Sequence, residues 1–512
     1  KTPWLVLPLT LLVVAVTGAS EIGKEVAVSR HLEDGDDFSM SPRALIDHGK
    51  LLFDARWTIQ EGAGRPQTTG TGLPLVDDTA PLQFPRNFNR ISGPDANSCA
   101  GCHNLPRSGG AGDIVANVFV LGQRFDFASF DANDLIPTRG ANDEANMAVT
   151  LGTVANERNT VGMFGSGYIE MLARQITQQF QAQRDALSPG DSVRLVFQGI
   201  DFGVLARGDD GSWDTSGITS LPPPSLTSAG PDDQPSLVLR PFHQAGAVVS
   251  LREFTNNAFN HHHGIQTVER FGTGDPDADG VALEMTRADV TAVAVYQAAL
   301  PVPGRVIPRD PKIEAAVRQG QTAFEDIGCG DCHTPSLKLE WRNRIYTEPN
   351  PYNPPGNLQV GETADLGIDL RSPALGGPRL KRRGRYIEVP AYTDFRLHNI
   401  TQGPDDPNCE PLNQHFAPGS TEFFSGNCRF LSSRLWGVAD SGPYMHHGKY
   451  TTMREAIEAH YGEANESREA WADLSDYERD AIIEFLKTLR ILPEGTRSRI
   501  VDENFRPRFW RE

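Results

Sequence analysis

Two copies of the pentapeptide Cys-x-x-Cys-His lie far apart in this chain, at residues 99–103 and 329–333. The two cysteines of such a pentapeptide can each form a thioether bond to a porphyrin, and the histidine can take the fifth position of its iron. A shared zinc site is the first alternative, but zinc-binding pairs usually lie within about 15 to 20 residues of each other. A thioredoxin-like dithiol is the second, and it has no need of the histidine.

The spacing therefore predicts two covalently bound haem c groups. Their attachment residues and proximal iron ligands are Cys99, Cys102 and His103 for the first haem and Cys329, Cys332 and His333 for the second.

The sixth position of each iron decides whether a haem only carries electrons or also meets a substrate. In the C-terminal half, Thr452-x-x-Glu455 predicts a helix start, and His460 falls on the apolar stripe of that helix. A histidine on such a stripe is more often a core residue than a ligand, but a haem in the same domain favours ligation. His460 is therefore the first candidate, with Tyr461 and Met445 as alternatives.

Three consecutive histidines precede Gly264 in the N-terminal half. Such a cluster can bind a transition metal, line a haem pocket or lie in a solvated loop. His263 is the preferred sixth ligand and catalytic candidate for the first haem, because Gly264 permits a close backbone approach. Met163, Met171 and His243 remain open as ligands of the same iron.

Two acidic features could also take part in chemistry. Glu170 could serve as a general acid-base group if peroxide binds the first haem, or it could be a solvated or capping glutamate. The front half of an EF-hand loop is formed by Asp275, Asp277 and Asp279 ahead of a glycine, but its twelfth position is threonine. A Ca²⁺ site and an ordinary acidic turn are the two interpretations of that loop.

The elements that must position these residues occur twice. A helix with apolar residues at helical spacing precedes each pentapeptide, and a second helix with a capping-box signal closes each half. The predicted helices start near Pro42, Thr286, Pro311 and Ser475. This repeat indicates duplication of a cytochrome-like unit.

Alternating segments, such as the one at residues 237–240, predict a β-rich insertion at about 190–253. The predicted fold class is mainly α, with two cytochrome c-like haem domains at 40–305 and 311–495. Residues 1–19 are typical of a signal peptide, because a basic first residue precedes a short apolar run and a small-residue cleavage site at Ala19. A periplasmic or secreted protein without a stable membrane span is expected.

The net charge of −18 argues against a nucleic-acid partner and would steer a basic redox partner, although acidity also serves solubility alone. Cys409 and Cys428 are not followed by histidine and are expected to form a disulfide in an exported chain, with two free thiols as the alternative.

Over roughly residues 42–490, the chain resembles the bacterial di-haem oxidoreductases. These are related to di-haem cytochrome c peroxidases and to the di-haem enzymes that oxidise protein tryptophans. The matching blocks are Leu52-Phe53 and residues 98–103, 165–170, 324–333, 434–437, 444–448 and 455–464.

The resemblance implies two cytochrome c-like domains whose haems face an interface, one haem acting as a relay and the other meeting substrate. It places His398 and His446 in the second haem pocket. The peroxidase branch often has a methionine where His460 falls, so this chain departs from that branch there. Peroxidase relatives also commonly hold a calcium ion between the domains, which fits the aspartate loop.

Three functions remain open at this point. The first is an oxidoreductase that takes electrons from a small cytochrome or cupredoxin and delivers them to peroxide. The second is an electron carrier with two six-coordinate haems. In the third, the haems oxidise an organic or protein substrate.

Overall fold

The computed structural model describes residues 22–64, 96–113, 115–119, 155–276, 279–416 and 420–510, so the predicted signal peptide lies outside the described residues. Of the described part of the chain, 34% is helix and 17% is strand. The α-helices, α1 to α13 in chain order, are Asp36–Ser39, Pro42–Asp54, Cys99–Cys102, Ser166–Asp185, Pro223–Leu226, Leu251–Ala258, Val268–Phe271, Arg287–Ala299, Pro311–Asp326, Cys329–Cys332, Met453–Glu458, Asn465–Asp473 and Asp476–Lys487.

The strands form several small sheets of two or three strands each. In chain order, β1 to β15 are Val115–Phe119, Ala155–Asn159, Ser192–Phe197, Ile200–Arg207, Trp213–Gly217, Gly304–Val306, Leu337–Glu340, Ile345–Glu348, Leu366–Asp369, Arg382–Arg383, Tyr386–Val389, Leu397–Asn399, Arg429–Leu431, Leu489–Arg490 and Ile500–Val501. Most of these sheets lie outside the predicted insertion, so the C-terminal half contains more strand than its helical patterns indicate.

The insertion itself is an antiparallel sheet in the order β3-β4-β5. The predicted strand at 237–240 is wrong, because these residues adopt no strand conformation. Leu237 has a φ of 51°, and the amide of Leu239 donates to the side chain of Thr177 at 2.9 Å instead of to a neighbouring strand. A fully buried residue in left-handed conformation cannot continue an extended strand.

The repeat predicted from the sequence is visible in two helix pairs. In the first, α2 crosses α8 at Gly49, where an added Cβ would lie 1.9 Å from the carbonyl oxygen of Ala292. In the second, α9 crosses α13 at Gly320, where an added Cβ would lie 1.8 Å from the carbonyl oxygen of Ala481. Only glycine allows backbones to approach this closely, so both crossings depend on the same residue type.

The aromatic contacts next to these crossings also correspond. Four residues after each glycine, a phenylalanine packs on an aromatic ring of the partner helix: Phe53 on Tyr296 with centroids 5.2 Å apart, and Phe324 on Phe485 at 5.3 Å. Both α8 and α13 begin with the predicted capping boxes, formed by Thr286 and Asp289 and by Ser475 and Glu478. The two halves are therefore built on the same helix pair.

We expect Gly49→Ala and Gly320→Ala each to destabilise the protein by about 3 kcal/mol, because the helices must separate to admit a methyl group. The measurement is the free energy of unfolding in denaturant. Gly274→Ala is the matched control, since no atom of the described residues lies within 4 Å of its Cβ position. Equal stability of all three variants would contradict the close crossings.

Cys409 and Cys428 form a disulfide, as the sequence predicts. Among the described residues, no helix combines the length and apolar character that crossing a bilayer requires.

Candidate functional site

Both pentapeptides line one cavity of about 550 Å³. Although 230 positions separate the motifs in the sequence, all six of their cysteines and histidines reach this space. Apolar and aromatic side chains form most of the remaining wall, among them Phe164, Phe242, Phe254 and Trp436. The cavity is therefore a shared, largely apolar space between the two halves of the repeat.

At the first motif, Cys99 to Cys102 form the single helical turn α3, which His103 ends. The Nδ1 atom of His103 donates to the carbonyl oxygen of Gly110 at 3.2 Å. A carbonyl can only accept, so the proton sits on Nδ1 and Nε2 keeps its lone pair. Burial lowers the pKa of His103 to about 4, which keeps the ring neutral, as metal ligation requires.

The second motif repeats this geometry. The Nδ1 atom of His333 lies 3.0 Å from the carbonyl oxygen of Ser433 and 3.3 Å from that of Tyr392. Burial again lowers the pKa of the ring to about 4. In both motifs a backbone carbonyl fixes the tautomer that leaves Nε2 available to a metal, which is the usual outer-shell support of a ligating histidine.

None of the four motif cysteines forms a disulfide among the described residues. Burial raises the pKa of the Cys329 thiol to about 12 and also raises that of Cys99. Burial thus favours the protonated form of the Cys99 and Cys329 thiols beside the cavity.

His460 lines the cavity and faces the second motif closely enough for its charge to affect the pKa of His333. The helix α11 begins with the predicted capping box at Thr452 but ends at Glu458, so His460 follows it by two residues. Its Nδ1 donates to the carbonyl oxygen of Ala456 at 2.6 Å, and Nε2 keeps its lone pair. His460 thus has the same tautomer support as the two motif histidines.

Met445 and Tyr461, the two remaining candidates for this position, are placed differently. Met445 lines the cavity. Tyr461 is not among the cavity residues, and its ring stacks under the guanidinium of Arg468 at 4.5 Å. The geometry therefore favours His460 over Tyr461 and leaves Met445 as the nearby alternative.

The three histidines of the N-terminal half lie in a π-helical turn, Phe259–His263, after α6. His263 is buried, its Nδ1 donates to the carbonyl oxygen of Ala96 at 2.6 Å, and its Nε2 lies 3.3 Å from Sγ of Cys99. His263 also lines the cavity, and its Nδ1 bond to a carbonyl leaves the lone pair on Nε2 next to the first motif. His103, His333 and His460 have the same tautomer, so His263 stays the predicted ligand of the first iron.

Gly264 does permit a close backbone approach, as predicted, but the neighbour is the backbone of Gly64, 2.2 Å from an added Cβ. Of the three consecutive histidines, His262 also lines the cavity, next to His263. Its charge affects the pKa of His103. The sequence pattern could not separate adjacent histidines of one turn.

The three further ligand candidates for the first iron divide by position. Met163 and His243 line the cavity, whereas Met171 is buried elsewhere. Met171 is therefore not placed to reach either motif through this space.

Glu170 does not line the cavity. Its fully buried carboxylate pairs with Arg174 and accepts from the side chain of Asn350 at 2.7 Å and from the amide of Leu251 at 2.8 Å. The last of these bonds ties α4 to the first turn of α6. The structure therefore gives Glu170 a positioning role in the scaffold and not the predicted place as an acid-base group.

We expect Glu170→Gln to lower the free energy of unfolding by about 3 kcal/mol, because it leaves the buried Arg174 without its charge partner. The absorption spectrum of the cofactor-loaded protein should not change. The matched control is Asp47→Asn, which breaks an exposed pair of the same i,i+4 spacing with Arg43 and should cost under about 1 kcal/mol. A changed spectrum with unchanged stability would restore the acid-base interpretation.

The acidic loop at 275–280 forms hydrogen bonds to its own backbone in its described part, and both interpretations, a Ca²⁺ site and an acidic turn, stay predictions. The carboxylate of Asp275 accepts from the amides of Asp279 and Gly280 at 3.1 and 2.9 Å, and Asp279 accepts from the amide of Val281 at 2.7 Å. These bonds use only part of the acceptor capacity of the two carboxylates. Asp277 lies outside the described residues.

His398 and His446 both line the cavity that the two pentapeptides share, and their place in a second haem pocket stays a prediction. His398 donates to Asp394 and Glu463, each at 2.9 Å. Burial opposes the charged ring, but these bonds outweigh it and raise the pKa of His398 to about 11. His446 stacks on Phe430 with centroids 4.0 Å apart, and burial lowers its pKa.

Cys332, Asp394 and His398 are also close enough together to hold a metal ion. Since Cys332 belongs to the second pentapeptide, its sulfur cannot both ligate a metal there and carry a porphyrin.

Arg434 is a cavity residue for which the sequence patterns predict no role. Its guanidinium donates to the carbonyl oxygen of Gly162 at 2.5 Å and to Ser166 at 3.4 Å, and burial lowers its pKa to about 10. No carboxylate pairs with it within the described residues. In the sequence, Arg434 was marked only by its place in residues 434–437, one of the segments that carry the family resemblance. That resemblance does not predict what the side chain contacts.

No protein-family model and no curated protein sequence matches the chain. Among solved structures, the chain is similar to a hydrazine synthase of Kuenenia stuttgartiensis, with 13% identity, a TM-score of 0.34, and coverage of 96% of this chain and 100% of the other. It is also similar to a MauG-like protein associated with microbial copper homeostasis, with 19% identity, a TM-score of 0.25, and coverage of 53% of this chain and 74% of the other.

Proposed function

We propose that this chain is a di-haem c-type oxidoreductase that receives electrons from a small redox protein and delivers them to peroxide. One observation carries the proposal: both pentapeptides line one cavity, and in each the histidine is fixed by a backbone carbonyl so that Nε2 can ligate iron. A zinc site would bring the four cysteines to one point, and a dithiol would leave the histidines without this arrangement.

The residues that would hold the two haems fit their chemistry. The four cysteines would attach the porphyrins, and His103 and His333 would be the proximal ligands. Arg434, a cavity cation without a carboxylate partner among the described residues, matches the acidic propionate groups that a haem carries. When bound, the haems supply one-electron redox chemistry.

The second haem is the better candidate for the relay. His460 faces His333, holds its proton on Nδ1 and offers Nε2 to the sixth position. The first haem is the candidate for the substrate site. His262 lines the cavity near the first motif, together with the apolar rings of Phe242 and Phe254.

A pure electron carrier is the second candidate. The observation that favours it is that His262 lines the same cavity as His103, just as His460 lines it with His333. If His262 ligates the first iron, both haems are six-coordinate and no substrate can bind. We further propose a periplasmic or secreted location, consistent with the Cys409–Cys428 disulfide.

The test is the optical spectrum of the ferric, haem-loaded protein before and after addition of cyanide and peroxide, followed by steady-state turnover with peroxide and a reduced cytochrome. One high-spin haem that responds to both ligands, with peroxide-dependent oxidation of the cytochrome, supports the peroxidase. Two low-spin haems that respond to neither cyanide nor peroxide would reject the peroxidase proposal and support the electron carrier. A preparation that binds no porphyrin would reject both.

A further inference from the structure

A strongly basic patch interrupts the acidic surface of this protein. Residues 338–344 and 371–385 carry nine of the chain's 48 Lys and Arg side chains but a single carboxylate, Glu340. The chain as a whole has a net charge of −18. We call the side chains of these two segments the basic patch.

The patch is organised around one tryptophan. The guanidinium groups of Arg344, Arg371 and Arg382 lie over the ring of Trp341, 4.6, 4.7 and 4.2 Å from its centroid. None of these three arginines forms an ion pair within the described residues. Stacking therefore holds these three charges in a fixed arrangement. Elsewhere in the patch, Arg342 pairs with Glu340 and Arg383 with Glu388 on β11, so the patch keeps a net positive charge.

The patch rests on a regular sheet. Strand β11 pairs with both β7 and β10, and the amide of Trp341 donates to the carbonyl of Arg385 at 2.8 Å just beyond the end of β7. Lys381 and Arg385 are exposed and form no ion pair in the described part of the chain. A rigid sheet presents these cations without the loss of conformational freedom that a flexible basic tail would suffer on binding.

The same sheet leads to the second pentapeptide. Leu337, at the other end of β7, follows His333 by four residues and pairs with Val389. Three residues after Val389, the carbonyl of Tyr392 lies 3.3 Å from Nδ1 of His333. The seven peptide steps from Arg385 to Tyr392 span at most about 25 Å.

We propose that the basic patch is the docking surface for a small acidic redox protein that exchanges electrons with the second haem. This inference rests on the proposed function, and it reverses the expectation from net charge that the partner is basic. At physiological salt the Debye length is about 8 Å, so the charges at the contact outweigh the distant acidic surface. Planar guanidinium groups bind carboxylates in pairs, and Arg and Trp are enriched at the energetic centres of protein interfaces.

The test uses anaerobic stopped-flow reduction of the ferric, haem-loaded protein by a plant-type [2Fe–2S] ferredoxin, a small acidic protein of low reduction potential. The variant is the double charge reversal Lys381→Glu and Arg385→Glu. Arg56→Glu with Arg497→Glu is the matched control, since both of those arginines are exposed and lie outside the patch. Dithionite serves as the small reductant.

We expect the patch variant to lower the second-order rate constant with ferredoxin at least ~10-fold, while the control variant and reduction by dithionite change less than about twofold. Oxidation of the reduced protein by mitochondrial cytochrome c, which is basic, should not slow in the patch variant. An unchanged ferredoxin rate constant in the patch variant would overturn the docking inference. It would do so even if the patch were found to bind phosphatidylglycerol vesicles.

These readouts separate the inference from the function on which it rests. If ferredoxin reduces the haems through the patch but peroxide does not react, the docking surface stands and the peroxidase proposal falls. If peroxide is turned over but the patch variant keeps its ferredoxin rate, the function stands and the docking surface falls.

Discussion

Replacing both cysteines of one pentapeptide with serine is expected to remove one haem and leave the other. The variants are Cys99→Ser with Cys102→Ser, and Cys329→Ser with Cys332→Ser. Thioether bonds need the cysteine sulfurs, and the two motifs line separate parts of the cavity wall on different helices, α3 and α10. The mass of the denatured chain should fall by one porphyrin in either variant, and the pyridine haemochrome absorbance per chain should halve.

The chain supplies the control for this experiment. Cys409→Ser with Cys428→Ser removes the disulfide, should keep both haems, and should cost about 3 kcal/mol of stability. Loss of porphyrin in that variant, or retention of two porphyrins in either pentapeptide variant, would contradict the assignment of the motifs.

His460→Ala is expected to change the second haem from low-spin to high-spin without changing the number of haems. The substitution removes the Nε2 donor that faces His333, and nothing else in the turn after α11 supplies a nitrogen at that point. His460→Met should keep the haem low-spin and raise its reduction potential by about 0.1 V or more, within the about 0.8 V that axial ligands span. Electron paramagnetic resonance and a spectroelectrochemical titration measure the two effects.

His415→Gln is the matched control, because His415 is a partly buried histidine that does not line the cavity and is bonded to the carbonyl of Ala245 at 2.6 Å. It should alter neither the spin state nor the potential. A low-spin second haem in His460→Ala would point to Met445, which also lines the cavity.

The helical repeat was predictable because it depends on local signals. The capping boxes at Thr286 and Ser475 and the apolar spacing after Pro42 and Pro311 determine where the four helices start, and the structure places all four there. The predicted disulfide between Cys409 and Cys428 is confirmed. Each of these features depends on a few neighbouring residues or on the chemistry of one residue type.

Several features depend on contacts that no local pattern records. The strand predicted at 237–240 is absent because the amide of Leu239 bonds to Thr177 on α4, a tertiary contact. His262 and His263 are adjacent and identical in type, yet only the fold turns one toward Cys99. Glu170 resembles a candidate acid in the sequence because its partner Asn350 is 180 positions away.

The basic patch illustrates the limit of composition as a guide. Net charge sums over the whole surface, whereas a partner senses the charges within a Debye length of the contact. The run of cations from Arg379 to Arg385 was visible in the sequence, but their shared position with Trp341 and its neighbours required the pairing of β7 with β11.

The crossing of α2 with α8 has a consequence for how the chain matures. Gly49 meets Ala292 about 240 positions further along the chain, whereas Gly320 meets Ala481 after about 160. On a ribosome or at an export pore, Cys99 to His103 emerge long before the helix that braces them exists. The first pentapeptide therefore stays in an unfolded nascent chain until α8 has been made. During that time its cysteines are more exposed to oxidation, or to reaction with another thiol, than those of the second pentapeptide.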